Sequence, residues 1–192
     1  MVRSLWTAAT GMNGQQSNID AISNNLSNVN TTGYKQQRVE FEDLVYQNVK
    51  LAGTPATEDT VTPVGIQQGT GVKVGATQRI MNQGSLQNTG VDTDLAIVGE
   101  GFFRVQKYDG SYAYTRDGSF KVDSAGQLVT NNGLRVIPEI ILPEGYDVST
   151  LNVTQTGLVS VKINGENDPV EVGQLELYRF PNKVGLQADG DN

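Results

Sequence analysis

Apolar residues recur every seven positions along the first thirty residues of the chain. Two series, three residues apart, occupy the a and d positions of this repeat: Leu5, Met12, Ile19 and Leu26, and Ala8, Gln15, Ile22 and Val29. Gln15 is the polar exception in a pattern that is typical of a coiled-coil seam. The pattern predicts a helix over residues 3–29, about 40 Å long, that ends at Gly33 in a left-handed conformation.

The positions that flank this seam carry no charge. They are small or amide residues where a two-stranded coiled coil ordinarily uses Glu and Lys: Ala9, Gly11, Gln16, Asn18, Ser23 and Asn25. Gly11 and Gly14 each weaken an isolated helix by about 1 kcal/mol relative to Ala. We therefore predict a helix that is ordered by packing and serves assembly, with an amphipathic helix lying on its own domain as the open alternative.

The next segment, residues 34–68, lacks a sustained pattern. The window around Phe41, Leu44 and Val45 is too short to distinguish a helix from another structure. A run rich in Thr, Pro and Gly follows between residues 53 and 65 and indicates a linker or exposed loop. We predict an extended connector here.

Short apolar runs alternate with turn dipeptides from Val72 onward. These dipeptides are hairpin signals and recur every seven or eight residues: Asp109-Gly110, Asp117-Gly118, Ala125-Gly126 and Asn132-Gly133. Later, Val159, Val161 and Ile163 share one face of a strand before a turn at Asn164-Gly165. The pattern predicts an antiparallel sheet folded on itself that holds most of the apolar residues.

The composition excludes several classes of function. The 192 residues include no cysteine and no histidine, which removes thiol and imidazole nucleophiles and the usual zinc ligands. The net charge of −7 argues against a nucleic-acid partner. No apolar run is long enough for membrane insertion, and the N-terminal segment lacks the apolar core of a cleaved signal peptide.

The side chains that could take part in catalysis or ligand binding have simpler interpretations. Asp92, Asp94 and Glu100 lack the spacing of a calcium loop, and Asp109, Asp117 and Asp123 are typical turn residues. Tyr108, Tyr112 and Tyr114 alternate along a strand, which favours cross-strand packing over stacking on bases or sugars. We predict no enzymatic activity, no catalytic or metal site, and no cofactor.

Two motifs carry a resemblance to a known family. The opening SLWTAATGM and the run from Ser23 to Lys35 resemble the N-terminal signature of bacterial flagellar rod and hook proteins. The matching residues of that signature are Asn24, Asn25, Leu26, Asn28, Asn30, Thr31, Gly33, Tyr34 and Lys35. The later runs GEGFFRV and YTRDGSF are similar to the β-domain motif of the same family, through Gly101, Phe102, Phe103, Tyr114, Arg116, Asp117, Gly118 and Phe120.

The resemblance implies a structural role. Such proteins stack helically into a hollow tube, with terminal helices inside and β domains outside. The Thr/Pro-rich segment and the run GIQQGTGVKVG are most similar to distal-rod members, which implies a drive shaft through the periplasm that also conducts exported subunits. Packing inside the tube then falls to the seam residues Leu5, Ala8, Met12, Ile19, Ile22, Leu26 and Val29.

The resemblance also implies partners and a location. The partners are further copies of the chain, proximal rod and hook proteins, the outer-ring bushing proteins and the type III export apparatus. Phe41 and Val45 resemble the element that such substrates offer to the export gate. The implied location is the flagellar basal body, reached without cleavage of a signal peptide.

Together these patterns predict an α+β fold in four parts. An assembly helix occupies residues 1–33, a connector 34–68, an antiparallel β domain 69–181, and a tail 182–192. The tail leads toward a C-terminal helix that family members carry, so we expect this stretch alone not to build a normal rod. Three alternatives stay open: a proximal-rod or hook subunit, a secreted carbohydrate-active β domain, and a free coiled-coil adaptor.

Overall fold

A computed structural model describes residues 2–53, 55–57, 60–61, 63–146, 150–163 and 168–190. A single described helix, α1 (Val2–Ser27), is followed by short strands, which confirms the predicted α+β class. Contacts divide the chain into two compact units. The helical unit comprises Met1–Val29 and Gln36–Ile80, and the β unit comprises Asn30–Lys35 and Met81–Asn192.

The helical unit contains α1 and a long two-stranded ribbon. The ribbon strands are β1 (Gln37–Asp43), β2 (Gln47–Lys50), β3 (Pro55–Thr57), β4 (Thr60–Val61), β5 (Ile66–Gln68) and β6 (Val72–Arg79). They pair antiparallel as β1 with β6, β2 with β5 and β3 with β4. Because the pairs are nested, the described strands between Gln37 and Arg79 run out and back as one ribbon.

This ribbon includes most of the segment for which the sequence predicts an extended connector. The window around Phe41 is a strand paired along its whole length with β6, from Gln37 opposite Arg79 to Asp43 opposite Val72. Alternation along β1 leaves Val39 only 8% exposed. The two-residue period of a strand therefore describes this window, in which the sequence did not distinguish a helix from another structure. The boundaries predicted at residues 33, 68 and 181 stay predictions.

The helix ends earlier than the heptad pattern predicts. Its last turn closes when the Asn28 and Val29 amides donate to the carbonyls of Asn24 and Leu26, so Val29 lies in the turn after α1. Gly33 does adopt a left-handed conformation, with φ of 71°. It lies six residues beyond Ser27 and therefore does not terminate the helix.

The β unit contains two antiparallel sheets. The strands of the first are β7 (Phe103–Gln106), β8 (Tyr112–Thr115), β9 (Lys121–Val122), β10 (Leu128–Val129) and β11 (Arg135–Ile137), in the order β8-β7-β11-β10-β9. The strands of the second are β12 (Asn152–Val153), β13 (Leu158–Val161) and β14 (Val170–Gln174), in chain order.

Three of the predicted turns connect paired strands, and these predictions are confirmed. Asp109-Gly110 joins β7 to β8, Ala125-Gly126 joins β9 to β10, and Asn132-Gly133 joins β10 to β11. The prediction at Asp117-Gly118 is wrong, because β8 and β9 lie at opposite edges of the sheet. The predicted turn at Asn164-Gly165 lies outside the described residues.

The core of the β unit is apolar and closely packed. Phe103 and Phe120 meet edge to face with ring centroids 5.0 Å apart, a favourable aromatic geometry. Val159 and Val161 of β13 are buried on one face, as the alternation predicts, and Ile163 is half-buried. This core holds the backbone of the β unit in place, and the β-domain motif lies on that backbone.

Candidate assembly surface and motif junction

The apolar a and d residues of α1, together with Val29 in the turn after it, form an exposed stripe. Their large side chains keep more than half of their surface exposed: Leu5, Met12, Ile19, Ile22, Leu26 and Val29. Ala8 is exposed as well, and Trp6 beside the stripe is 69% exposed. An exposed apolar row of this length is typical of an interaction surface.

The opposite face of α1 packs on the ribbon through small and polar residues. Gly14 is buried against Phe41 and Val72, and Thr10 Oγ1 lies 3.4 Å from the Val72 amide, which donates to it. Thr7 Oγ1 donates to the carbonyl of Thr70. The helix therefore packs within the unit through small and polar residues and leaves its large apolar side chains exposed, the reverse of an ordinary amphipathic helix.

Asn25 of the family motif ties the end of α1 to the start of β1. Its Nδ2 donates to the Gln37 carbonyl at 2.8 Å, and the Gln37 amide donates to its Oδ1 at 2.9 Å. One side-chain amide thus satisfies both backbone groups of Gln37, as a neighbouring strand would. Asn24, Leu26 and Asn28 belong to the same helical unit.

The second half of the motif, residues 30–35, belongs to the β unit. Thr32 Oγ1 donates to Asp117 Oδ1 at 2.8 Å, and Lys35 Nζ donates to the Asn82 carbonyl at 2.9 Å. A side chain at Gly33 would place its Cβ 2.8 Å from the Asp117 amide nitrogen, so the position requires both glycine's size and its positive φ. The two sequence motifs therefore meet at Asp117, and we call this contact the motif junction.

Thr31 and Tyr34 of this half are partly buried, whereas Asn30 is exposed. Asn30 and Thr31 lead into the junction, and the Tyr34 amide donates to the Thr31 carbonyl at 3.3 Å. Asp117 also accepts from the Ser119 amide at 3.1 Å, as a turn residue does. Asp109 and Asp123 accept from backbone amides in the same way within hairpins, so the turn interpretation is confirmed for these two carboxylates.

Arg116 organises the loop next to the junction. Its Nη1 donates to the Gly101 carbonyl at 2.9 Å, and its Nη2 donates to Gln83 Oε1 at 2.5 Å and to the Gly99 carbonyl. Burial lowers the pKa of Arg116, an effect that Glu100 opposes. The fork geometry of a guanidinium lets one side chain hold several carbonyls at once.

Gly118, next to Asp117, is required for a steric reason. Its carbonyl accepts from the Leu95 amide at 2.9 Å, and a Cβ at this position would overlap the Leu95 carbonyl oxygen. Only glycine allows that approach. The Asp-Gly pair is therefore explained by close packing and not by a hairpin.

The aromatic residues of the β-domain motif divide between two places. Phe103 and Phe120 are in the core. Phe102 and Tyr114 instead contact Phe180, with centroids 5.9 and 4.7 Å away. The cluster anchors the segment around residue 180 on the β unit.

Tyr112 and Tyr114 pack against neighbouring segments of the β unit, as the cross-strand interpretation predicts. Arg104 of β7 lies over the ring of Tyr112 at 4.9 Å and over the ring of Tyr178 at 4.4 Å, a favourable cation–π arrangement. Tyr114 packs against Tyr178 at 5.8 Å. Tyr108 departs from the prediction, because it is 85% exposed and donates its hydroxyl to the Asn132 carbonyl across the neighbouring turn.

The residues compared with an export-gate element lie in the ribbon. Phe41 contacts Gly14 and is 40% exposed, whereas Val45 is 87% exposed. Phe41 therefore has a packing role in the folded unit. Its role in export stays a prediction.

A cleft of about 250 Å³ lies beside Arg116 within the β unit. Its lining includes three cations, one carboxylate and two apolar side chains: Lys35, Arg116, Lys183, Glu100, Met81 and Phe102. We call it the cationic cleft. Desolvation, and then the charge of Arg116, lower the pKa of Lys35. Hydrogen bonding and charge from Lys183 lower the pKa of Glu100.

The described residues contain no group of three or more acidic side chains placed to hold a metal ion. Asp94 instead accepts from Thr89 Oγ1 at 2.6 Å, and Asp92 is exposed. Within the same residues, α1 is too polar to cross a membrane.

Sequence reasoning missed part of this arrangement. The face of α1 that packs on the ribbon has its own heptad series of small and polar residues, Thr7, Gly14, Ala21 and Asn28. This series could have identified the packing face from the sequence. Tyr178 and Phe180 had none, because their contacts with Arg104, Phe102 and Tyr114 join segments more than sixty residues apart.

A helix that exposes an apolar seam along most of its length is typical of a subunit that assembles with other chains. Two family models match the chain: flagella basal body rod protein over residues 5–35, and the flagellar hook protein FlgE/F/G D1 domain over residues 96–161. The matched ranges contain both halves of the N-terminal motif and the β-domain motif.

Similar proteins point to the same family. The flagellar basal-body rod protein FlgG of Borreliella burgdorferi is 56% identical over 192 residues, which cover all of this chain and 72% of that protein. The FlgG protein of Caulobacter vibrioides is 43% identical with the same coverage. The flagellar hook protein FlgE of Helicobacter pylori is 38% identical over 98% of the chain but only 26% of that protein.

The chain therefore belongs to the flagellar basal-body rod protein family. It is a structural subunit of the flagellar rod and hook axis, located in the basal body, and not an enzyme.

Proposed function

We propose that the chain is a subunit of the distal rod, which polymerises helically into a hollow shaft that transmits torque to the hook and conducts exported subunits. The observation that carries this proposal is the exposed stripe of α1. Six large apolar side chains are more than half exposed while the helix packs through its opposite face. The apolar residues of this surface lower the free energy only when other subunits cover them.

The comparisons favour a rod subunit over a hook subunit. The rod protein of Borreliella burgdorferi matches with higher identity than the hook protein of Helicobacter pylori, and the chain spans 72% of the former but 26% of the latter. Its partners in this role are further copies of itself, the proximal rod and hook proteins, the outer-ring bushing and the export apparatus.

Electron cryotomography of a strain that lacks the gene tests the assignment to the distal rod. We expect basal bodies whose rod stops before the outer rings and that carry no hook, with normal structures restored by the natural gene. Intact rods and hooks would contradict any rod function. Loss of the whole rod would assign the chain to the proximal rod instead.

A further inference from the structure

The charges in the cationic cleft are not balanced within the described residues. Lys183 pairs with Glu100 at 2.5 Å, but Lys35 and Arg116 donate to neutral oxygens, of Asn82 for the former and of Gly101 and Gln83 for the latter. Three cations against one carboxylate leave two positive charges uncompensated in a partly desolvated site. An added anion would be favoured there.

The walls of the cleft fit a carboxylate that is carried on a short apolar stem. Met81 and Phe102 supply apolar surface beside the two ammonium groups. Phe102 is 7% exposed and held by Phe180, so this wall is fixed. Asp and Glu side chains have this combination of a methylene stem and a charged end.

We propose that the cationic cleft receives a carboxylate side chain from a second copy of the chain. This inference rests on the proposed function, in which many copies surround one another. It adds a contact between β units to the one made by the helical stripe.

A second copy is favoured by charge complementarity. Each chain carries a net charge of −7, so neighbouring copies repel unless acidic side chains meet local positive sites. Asp92, Glu144 and Glu171 are exposed and form no ion pair within the described residues. A helical polymer is built from such heterologous contacts, in which one surface of a subunit meets a different surface of the next.

Zero-length carbodiimide coupling tests the inference, because it joins an ammonium only to a carboxylate in contact with it. Purified basal bodies and unassembled chain are treated in parallel and analysed by mass spectrometry. The Lys183–Glu100 link is expected in both samples and serves as the internal control. A link from Lys35 or Lys183 to another carboxylate of the same protein, found only in assembled rods, is the expected result.

Matched variants add a functional readout. We expect Lys35→Met to reduce the number of hooks per cell about tenfold, while Lys35→Arg retains hooks and loses the Lys35 link. Lys121→Met, which removes an exposed charge from β9, is the control and should leave hook number unchanged. Near-UV circular dichroism checks that each purified variant is folded.

The outcomes separate the two proposals. Rods that contain the chain and yield only the internal control link overturn this inference alone, as does a rod-specific link to a different protein or an unchanged hook number in folded Lys35→Met. Basal bodies that lack the chain altogether overturn the proposed function and this inference with it.

Discussion

Gly11 and Gly14 stand three residues apart in α1 but have different surroundings. A Cβ at Gly11 would meet no atom within 4 Å, whereas a Cβ at Gly14 would lie 3.2 Å from Phe41 Cε1. Both substitutions to Ala remove the same backbone entropy cost, about 1 kcal/mol in a helix interior. Only the second also forces a neighbour to move.

We therefore expect Gly11→Ala to raise the free energy of unfolding by up to about 1 kcal/mol. Gly14→Ala should be less stable than Gly11→Ala by about 1 kcal/mol, because crowding of Phe41 offsets the gain. Urea unfolding followed by circular dichroism at the helix band measures both. Equal stabilisation by the two substitutions would show that the helix does not rest on the ribbon at Gly14.

Arg116 offers a second comparison between single residues. Arg116→Lys keeps the charge but loses the fork that holds the Gly99 and Gly101 carbonyls. We expect a loss of about 1–3 kcal/mol in unfolding free energy. Arg135→Lys is the control, since Arg135 is exposed and its nearest carboxylate oxygen, on Glu139, lies 3.7 Å away. Its effect should stay within about 0.5 kcal/mol, and similar values for both variants would contradict the anchoring role.

Residue-scale roles were predictable where they depend on local backbone. Asp109 and Asp123 bind amides two residues ahead, which follows from the turn sequence alone. The bond from Thr32 to Asp117 spans 85 positions, and no local pattern indicates it. Sequence identifies the two motifs, but only the fold shows that they meet.

At the scale of elements, the ribbon and the sheet should differ in stability. The paired strands β2 and β5 expose Val49 and Ile66 by more than half, and a two-stranded ribbon without packing is marginal in water. In the sheet, β7 lies between β8 and β11 and contributes Phe103 and Val105 to the core.

We expect amide hydrogen exchange in the unassembled chain to be at least a hundredfold faster in β2 and β5 than in β7 and β11, because local opening of the ribbon exposes little apolar surface. Exchange followed by mass spectrometry of peptides resolves these segments. Equal protection of the two pairs of strands would contradict the predicted difference in stability.

Elements were predictable to different degrees for the same reason. The helix and three hairpins depend on residues close in sequence, so periodicity and turn dipeptides indicated them. The pairing of Gln37 with Arg79 closes a loop of about forty residues, and the sequence offered only a turn-rich run in between. The period of α1 located its apolar face but not the polar face that packs on the ribbon.

At the scale of the whole molecule, assembly depends on what covers the stripe of α1. Large apolar side chains form the core of the β unit and also line the exposed seam of the helix. The first stabilises the subunit. The second lowers the free energy only in an assembly, which is the physical requirement for a shaft made of repeated contacts.

Introducing a charge on the stripe tests whether this surface is covered in the assembled rod. Ile19 is 56% exposed, so Ile19→Asp should change the unfolding free energy of the isolated chain by no more than about 0.5 kcal/mol. It should nevertheless abolish rod assembly and motility, because the carboxylate would be buried between subunits. Asn13→Asp is the matched control, since Asn13 is also exposed on α1 but lies outside the stripe, and its rods should form normally.

The decisive measurement is the count of hooks per cell by electron microscopy in strains that carry each variant, with the fold of each purified chain checked by circular dichroism. The account predicts no hooks with Ile19→Asp and a normal number with Asn13→Asp. Normal hooks with a folded Ile19→Asp chain would contradict the assignment of the stripe as the assembly surface.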